Sequence, residues 1–384
     1  MNVGAFAFWF AVGLLLYSYV LYPLFMVAIV RGGRERTHER PPEESELPTV
    51  AVIVAAFNEE KHIRERVGNL LEQQYPSDRL QILVGSDGSA DRTAELARSS
   101  GDARVRVLEF KVNRGKASVI NDLVAQTDAD ILVFTDANTV FEPQTILHLV
   151  RRLADPGISA VCGELILEQT SGGSNDDHRY WSFERRLKAA ESSVGGLLGA
   201  NGAVYAIRRR AYRPLASDTI CDDFIVAMNI AAAGEGLVYE PLALAYEDAP
   251  DDVTAEYGRR VRIGIGNYQA LFRHPEYLFG APCALRVTYF SHKVLRWLTP
   301  HLLLAALTAS AALSAEPLYA WLFALQLAGY VAALGIFLLR DGVRWPAPMR
   351  GAMLFAVLNV AFGVGFARFL TGAYRGGWRR TQRA

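Results

Sequence analysis

The apolar pattern divides the chain into three zones. Residues 1–30 contain no Asp, Glu, Lys, Arg or His, and a bilayer core needs about 20 apolar residues per helix. This stretch predicts a spanning helix. A cleaved signal peptide also starts with an apolar run, but it wants a basic start and a short core. The missing basic start, the length and the late Tyr17, Tyr19, Tyr22 and Pro23 favour a retained anchor. Near the other end three further apolar runs follow, at 297–315 (with Pro300 and His301), 318–339 and 351–374 (with Arg368). Between the two ends the period changes. Val50–Ala56 is a continuous β-branched run, the pattern of a strand buried on both faces of a parallel sheet. Asn58-Glu59-Glu60 predicts the cap of a helix reaching about Gln74. Strands are then expected at Leu80–Gly85, Val105–Phe110 and Ile131–Thr135, with helices at Asp91–Ser99 and Lys116–Gln126. Strands alternating with helices predict an α/β doubly wound sheet.

Ligands of such sheets bind beyond the carboxyl ends of the strands. The first expected strand exits into Phe57-Asn58-Glu59, the second into Asp87-Gly88-Ser89 and the fourth into Asp136-Ala137-Asn138. Taken singly, such residues are ordinary caps or turn formers. Taken together, they bring three carboxylates to one edge. No GxGxxG follows the first strand and no GxxxxGK[ST] occurs, which disfavours a dinucleotide or P-loop enzyme. Asn113-Arg114-Gly115-Lys116 opens a helix with Gly and two cations, either a pyrophosphate contact or an ordinary basic first turn.

Composition narrows the classes. Forty Lys+Arg balance forty Asp+Glu, so the chain lacks the basic excess of an electrostatic nucleic-acid binder. Cys162, Cys221 and Cys283 are dispersed, which excludes a disulfide framework and a CxxC zinc site. The mean hydropathy of +0.12 fits membrane ends around a polar middle.

Basic flanks set the expected orientation. Arg31, Arg34, Arg36 and Arg40 follow the first apolar run, which puts the middle domain in the cytoplasm. Three later crossings would leave the tail outside, yet that tail carries Arg375, Arg379, Arg380 and Arg383 and no acid. One C-terminal segment is therefore expected to lie along the membrane or re-enter it, the Pro300-His301 segment first and 351–374 second. Ser291–Trp297 reads as an interface anchor, with cations for headgroups and Trp at the boundary.

The strings VIVAAFNEE (52–60), GSDGSADRT (85–93), NRGK (113–116), FTDANT (134–139), GANGAVYAIRR (199–209), CDDF (221–224) and RRVRIG (259–264) resemble, in order, those of the family 2 glycosyltransferases. The apolar ends resemble the membrane-bound, polysaccharide-synthase-like branch of that family. The resemblance implies a GT-A nucleotide-diphospho-sugar transferase domain, a doubly wound mixed sheet flanked by transmembrane helices. The layout it implies is an anchor at 1–30, a linker at 31–48, a cytoplasmic catalytic domain at 49–280, an interfacial segment at 281–296, about three membrane helices within 297–374 and a basic tail at 375–384. The location implied is the inner (cytoplasmic) membrane.

Site roles follow from the same resemblance. Phe57, Glu59, Asp87, Lys116 and Asp136 would bind a nucleotide-diphospho-sugar donor such as a UDP-sugar. Asp136-Ala137-Asn138 is similar to the family's DxD metal motif, so Asp136 and Asn138 would hold a divalent ion, Mg²⁺ or Mn²⁺. Its third position is Asn, which offers only a neutral oxygen. Asp222-Asp223 stands at the family's acid pair, with Asp223 as general base; a helix N-cap with an acidic first turn is the other reading. Asn201, Gly202 and Arg259 would face the acceptor, and Arg262 would hold diphosphate. Arg259-Arg260-Val261-Arg262-Ile263 departs from the QxxRW of processive synthases, because Ile263 replaces the Trp. The implied activity is inverting transfer to a lipid-linked or nascent glycan acceptor, with membrane lipids as partners. A processive synthase and a non-catalytic scaffold with a degenerate domain are the alternatives.

Overall fold

The computed structural model describes residues 2–30, 47–168, 175–248, 253–339 and 345–374. The arginine flanks at 31–40 and 375–384 and most of the 31–48 linker lie outside the described residues.

Eight strands form one mixed sheet: β1 (Val50–Ala56), β2 (Leu80–Asp87), β3 (Val105–Phe110), β4 (Ile131–Thr135), β5 (Val140–Phe141), β6 (Ile158–Glu168), β7 (Tyr205–Arg208) and β8 (Gly236–Asp248). Their spatial order is β3-β2-β1-β4-β7-β6-β8-β5. The β3-β2-β1-β4 half is parallel. β7 then pairs antiparallel with both β4 and β6, β8 runs parallel to β6, and β5 returns antiparallel on β8. Every residue of β1 is buried, as its unbroken apolar run requires of a central strand covered on both faces. Helices Ile63–Leu71 and Thr145–Leu153 cover one face, while Lys116–Val124 and Asp222–Ala232 cover the other.

The helix expected from Asn58 begins instead at Ile63 and ends at Leu71. The backbone of 58–60 is engaged elsewhere. Asn58 N donates to Ser89 Oγ, Glu59 N to Thr93 Oγ1 and Glu60 N to Asp91. Asn58 itself takes φ 56°, and its side-chain oxygen accepts Ala90 N. These contacts clip the β1 exit to the β2 exit.

Val3–Ala28, Pro317–Leu338 and Pro348–Leu370 are long and apolar enough to cross a membrane. The Pro300-His301 segment belongs to a broken pair, in which Cys283–Trp297 and Thr299–Ala312 meet at a 60° bend. Ser291–Trp297 is not an exposed anchor. Ser291, His292 and Trp297 are buried, and His292 Nδ1 lies 2.6 Å from Glu191. Trp297 packs edge-on against Phe224 and Tyr289, at ring distances of 5.9 and 5.6 Å. The domain core thus continues past the expected boundary at 280, because the aromatic side chains that fill the space beneath the Asp222–Ala232 helix come from the following segment.

Candidate active site

A cleft of about 260 Å³ opens at the carboxyl ends of β1 and β4. Of the expected site residues, Glu59, Lys116, Asp136, Asn138, Asn201, Gly202, Asp222, Asp223, Arg259 and Arg262 all line it. Phe57 and Asp87 do not.

Asp87 is fully buried. Its two carboxylate oxygens accept the backbone N–H groups of Arg114 and Gly115, each at 2.8 Å. These are the same N–H groups that the loop would have offered a pyrophosphate, so that reading of the loop backbone is corrected. Asp87 thereby seats the loop that carries Lys116. Gly88 makes the turn behind it at φ 65°, where a Cβ would stand 2.5 Å from Asn113 N.

The Lys116 side chain enters the cleft from the first turn of Lys116–Val124. Its ammonium donates to Asp136 Oδ1 at 2.9 Å and stands 3.2 Å from Asp222 Oδ2. Burial opposes the charge, but Asp136, Asp222 and Asp223 outweigh it and hold the ammonium pKa above its ordinary value.

Asp222 and Asp223 open the Asp222–Ala232 helix, whose N-cap is Cys221 with no side-chain cap bond. The two carboxylates diverge. Asp222 is buried and turns to Lys116. Asp223 Oδ1 accepts Phe224 N and Oδ2 accepts Gly202 N, both at 2.8 Å. Burial first, and the charge of Asp222 second, push Asp223 up to about 6, with Lys116 opposing. A Cβ on Gly202 would stand 3.3 Å from Asp223 Oδ2 and 3.7 Å from Asp136 Oδ2. Gly202 therefore marks the point where both carboxylates converge, and the missing side chain leaves that point open.

Arg259 and Arg262 come from the Val253–Arg273 helix, which packs on the Ala347–Leu370 helix through Val261, Ile265 and Ala361. Arg259 is spent on a forked pair with Glu256, at 2.8 and 3.1 Å.

Two titratable cleft residues were absent from the sequence reading, His62 and Glu247. Glu247 is buried and accepts the Thr139 hydroxyl at 2.7 Å. A signal for it existed, since Ala243, Ala245 and Glu247 share the buried side of β8 by strict alternation.

The cleft wall carries Glu59, Asp136, Asp222, Asp223 and Glu247 against Lys116, Arg259 and Arg262. A diphosphate entering that wall needs further positive charge, and this excess of acid fits a divalent cation. Among the described residues no three His, Cys, Asp or Glu side chains form a metal cluster. Asp136 with Asn138 would therefore be a sparse protein site, as Mg²⁺ uses when phosphate and water supply most ligands.

Residues 51–214 match the family model described as Glycosyl transferase family 2. Over these residues the chain is similar to the family 2 glycosyltransferases, and its fold is the GT-A fold. Among curated relatives it is similar to the poly-beta-1,6-N-acetyl-D-glucosamine synthase of Staphylococcus epidermidis, 24% identical over 238 residues that cover 60% of this chain and 57% of the relative. The enzyme of the same name from Staphylococcus aureus strain COL is 25% identical over 235 residues, covering 59% and 57%. The chain spans little more than half the length of these relatives. Among solved structures it resembles the mannosyltransferase PcManGT from Pyrobaculum calidifontis, described in complex with GDP-Man and Mn²⁺. That match has a TM-score of 0.74 and 23% identity, and covers 95% of this chain and 99% of the other.

Proposed function

We propose that the protein is a membrane-bound inverting glycosyltransferase. It takes a sugar from a nucleotide-diphosphate donor at the cytoplasmic face of the inner membrane and passes it to a lipid-linked or nascent glycan acceptor. The observation that carries this is the convergence of Asp223 and Asp136 on Gly202, with Lys116 beside them. Inversion needs one base on the attacking hydroxyl. Asp223 is suited to it, since a carboxyl raised to about 6 is ionised at neutral pH yet takes a proton readily. The two N–H groups it accepts fix its direction and leave a lone pair on each oxygen for the acceptor hydroxyl. Asp136 and Asn138 would hold a divalent metal, which supplies positive charge to the leaving diphosphate. Lys116 and Arg262 add fixed positive charge at the same place.

The membrane reading rests on the three long apolar helices. If the bent pair does not cross, Pro317–Leu338 and Pro348–Leu370 return the chain to the cytoplasmic side. Both arginine-rich flanks then share one face, as the positive-inside rule requires.

The names of the Staphylococcus relatives favour a second reading, a processive synthase. Ile263 at the position of the family Trp, and only three helices among the described residues that are long and apolar enough to cross a membrane, favour single transfer. Donor hydrolysis by the purified protein, with and without Mn²⁺ or Mg²⁺, tests the activity. Metal-dependent hydrolysis of a nucleotide sugar is expected, and none with any donor would overturn the reading. Product size on a gel separates one added sugar from a polymer.

A further inference from the structure

Beneath the cleft lies a cation that the mechanism above does not use. Arg66 sits on the Ile63–Leu71 helix and is 2% exposed. Its guanidinium donates to Thr135 Oγ1 and to Asn69 Oδ1, each at 2.6 Å, and stacks 4.1 Å from the centre of the Phe141 ring. Its Nε has no hydrogen-bond partner among the described residues. A fully buried guanidinium with one unmet donor is an expensive way to fill a core, and an apolar side chain of similar size would serve stability as well or better. Burial draws its pKa down to about 9 against the pull of Asp136 and Glu247, so it remains charged at neutral pH.

The Thr135 hydroxyl, having accepted from Arg66, donates to Ala203 O at 2.7 Å. Ala203 follows Gly202, whose N–H holds Asp223. A continuous line therefore runs from Arg66 through Thr135 and the Gly202-Ala203 backbone to the proposed base. It joins β4, the strand that delivers Asp136, to the loop that orients Asp223. Cation-assisted hydrogen bonds of this kind are shorter and stronger than neutral ones, and a hydroxyl that both accepts and donates is polarised along the chain.

We infer that Arg66 is a positioning residue of the transfer step, acting through Thr135 and the Gly202-Ala203 backbone to set the direction of Asp223. This rests on the glycosyltransferase reading above. A residue acting this way moves kcat and leaves donor binding alone.

The test measures kcat and donor KM with UDP-N-acetylglucosamine and GDP-mannose, and the affinity for UDP and GDP with Mn²⁺. Arg66→Met and Thr135→Val should each lower kcat about 10- to 100-fold, the cost of a small misplacement of a reacting group, with KM and nucleotide affinity unchanged. Thr135→Ser, which keeps the hydroxyl, should stay near wild type, and Arg66→Lys should recover part of the loss. The double variant Arg66→Met/Thr135→Val should be no worse than either single one, because both cut the same line. Losses that multiply in the double variant, an unchanged kcat, or a defect confined to nucleotide affinity would each overturn the inference. Should Arg66→Met not fold, Arg66→Lys set against Thr135→Val and Thr135→Ser decides by the same criteria. A wild-type protein that neither binds UDP or GDP nor hydrolyses either sugar nucleotide sinks the underlying function. Active wild type with indifferent variants sinks only the role of Arg66.

Discussion

Asp223 Oδ2 accepts the backbone N–H of Gly202 at 2.8 Å, so the proposed base and the acceptor-side loop are one unit. Asp223→Asn keeps the shape but cannot accept the proton, and its amide cannot satisfy both N–H donors. Transfer should slow at least about a hundredfold while donor affinity stays near normal. Asp222→Asn should be milder on the chemical step. Its carboxylate turns to Lys116, so its defect should appear in donor affinity. Steady-state kinetics on both variants, with donor binding measured separately, checks this; an Asp223→Asn protein of full kcat would remove the base.

The pH profile follows from the same carboxyl. Asp223 must be ionised to act, so kcat should fall as pH drops through about 6. The stability effect has the opposite sign. The folded pKa lies above the ordinary 3.8, so the folded state binds this proton more tightly than the unfolded chain does. The penalty for its charge is absent below about 4 and fully present above about 6. The Tm of Asp223→Asn, relative to wild type, should therefore rise as pH goes from about 4 to 7. A flat difference across that window would refute the raised pKa.

Asp136→Ala should lose metal-dependent donor binding, and Asn138→Asp should keep or strengthen it by replacing a neutral oxygen with a charged one. The alanine also leaves the Lys116 ammonium buried with Asp222 as its one remaining ion-pair partner among the described residues. A stability loss of about 1–3 kcal/mol should accompany the binding loss, as for other broken buried hydrogen bonds. Calorimetric titration of UDP or GDP with and without Mn²⁺ reads the first effect, and chemical denaturation reads the second. Wild-type binding by Asp136→Ala would remove Asp136 from the site.

Gly88→Ala should damage the site without touching the cleft. The added Cβ would meet Asn113 N at 2.5 Å from a left-handed backbone position. A loss above about 1 kcal/mol is expected, with weaker donor binding because the loop carrying Lys116 shifts. An alanine variant of wild-type Tm and affinity would show that the turn has slack.

A reporter fused after Arg40 should read as cytoplasmic, because four arginines follow the first apolar run. A second reporter at Ala384 should read the same side. An extracytoplasmic signal at Arg40 would defeat both the orientation and the use of cytoplasmic donors.

Much of this was legible in the linear chain. An unbroken run such as Val50–Ala56 can be satisfied only in a sheet interior, and an uncharged stretch of thirty residues has little choice but an apolar surrounding. Asp136, Asp223 and Lys116 were readable because each sits in a short string at a strand end or a helix start. What those residues face was decided by tertiary structure. Asp87 and Asp136 both end parallel strands, yet the first closes on the Arg114-Gly115 backbone while the second lines the cleft. Arg66 occupies the apolar stripe with Ile63, Val67 and Leu70, a place where a cation makes sense only once Thr135 and Phe141 arrive from other elements. Ser291–Trp297 has the composition of a membrane anchor, and only the packing of Phe224 and Tyr289 puts its Trp in the core. The reason is common to all three. Periodicity and composition report how much water a residue avoids, a property of the local chain. The partner of a polar group depends on which distant strand or helix the sheet order brings beside it.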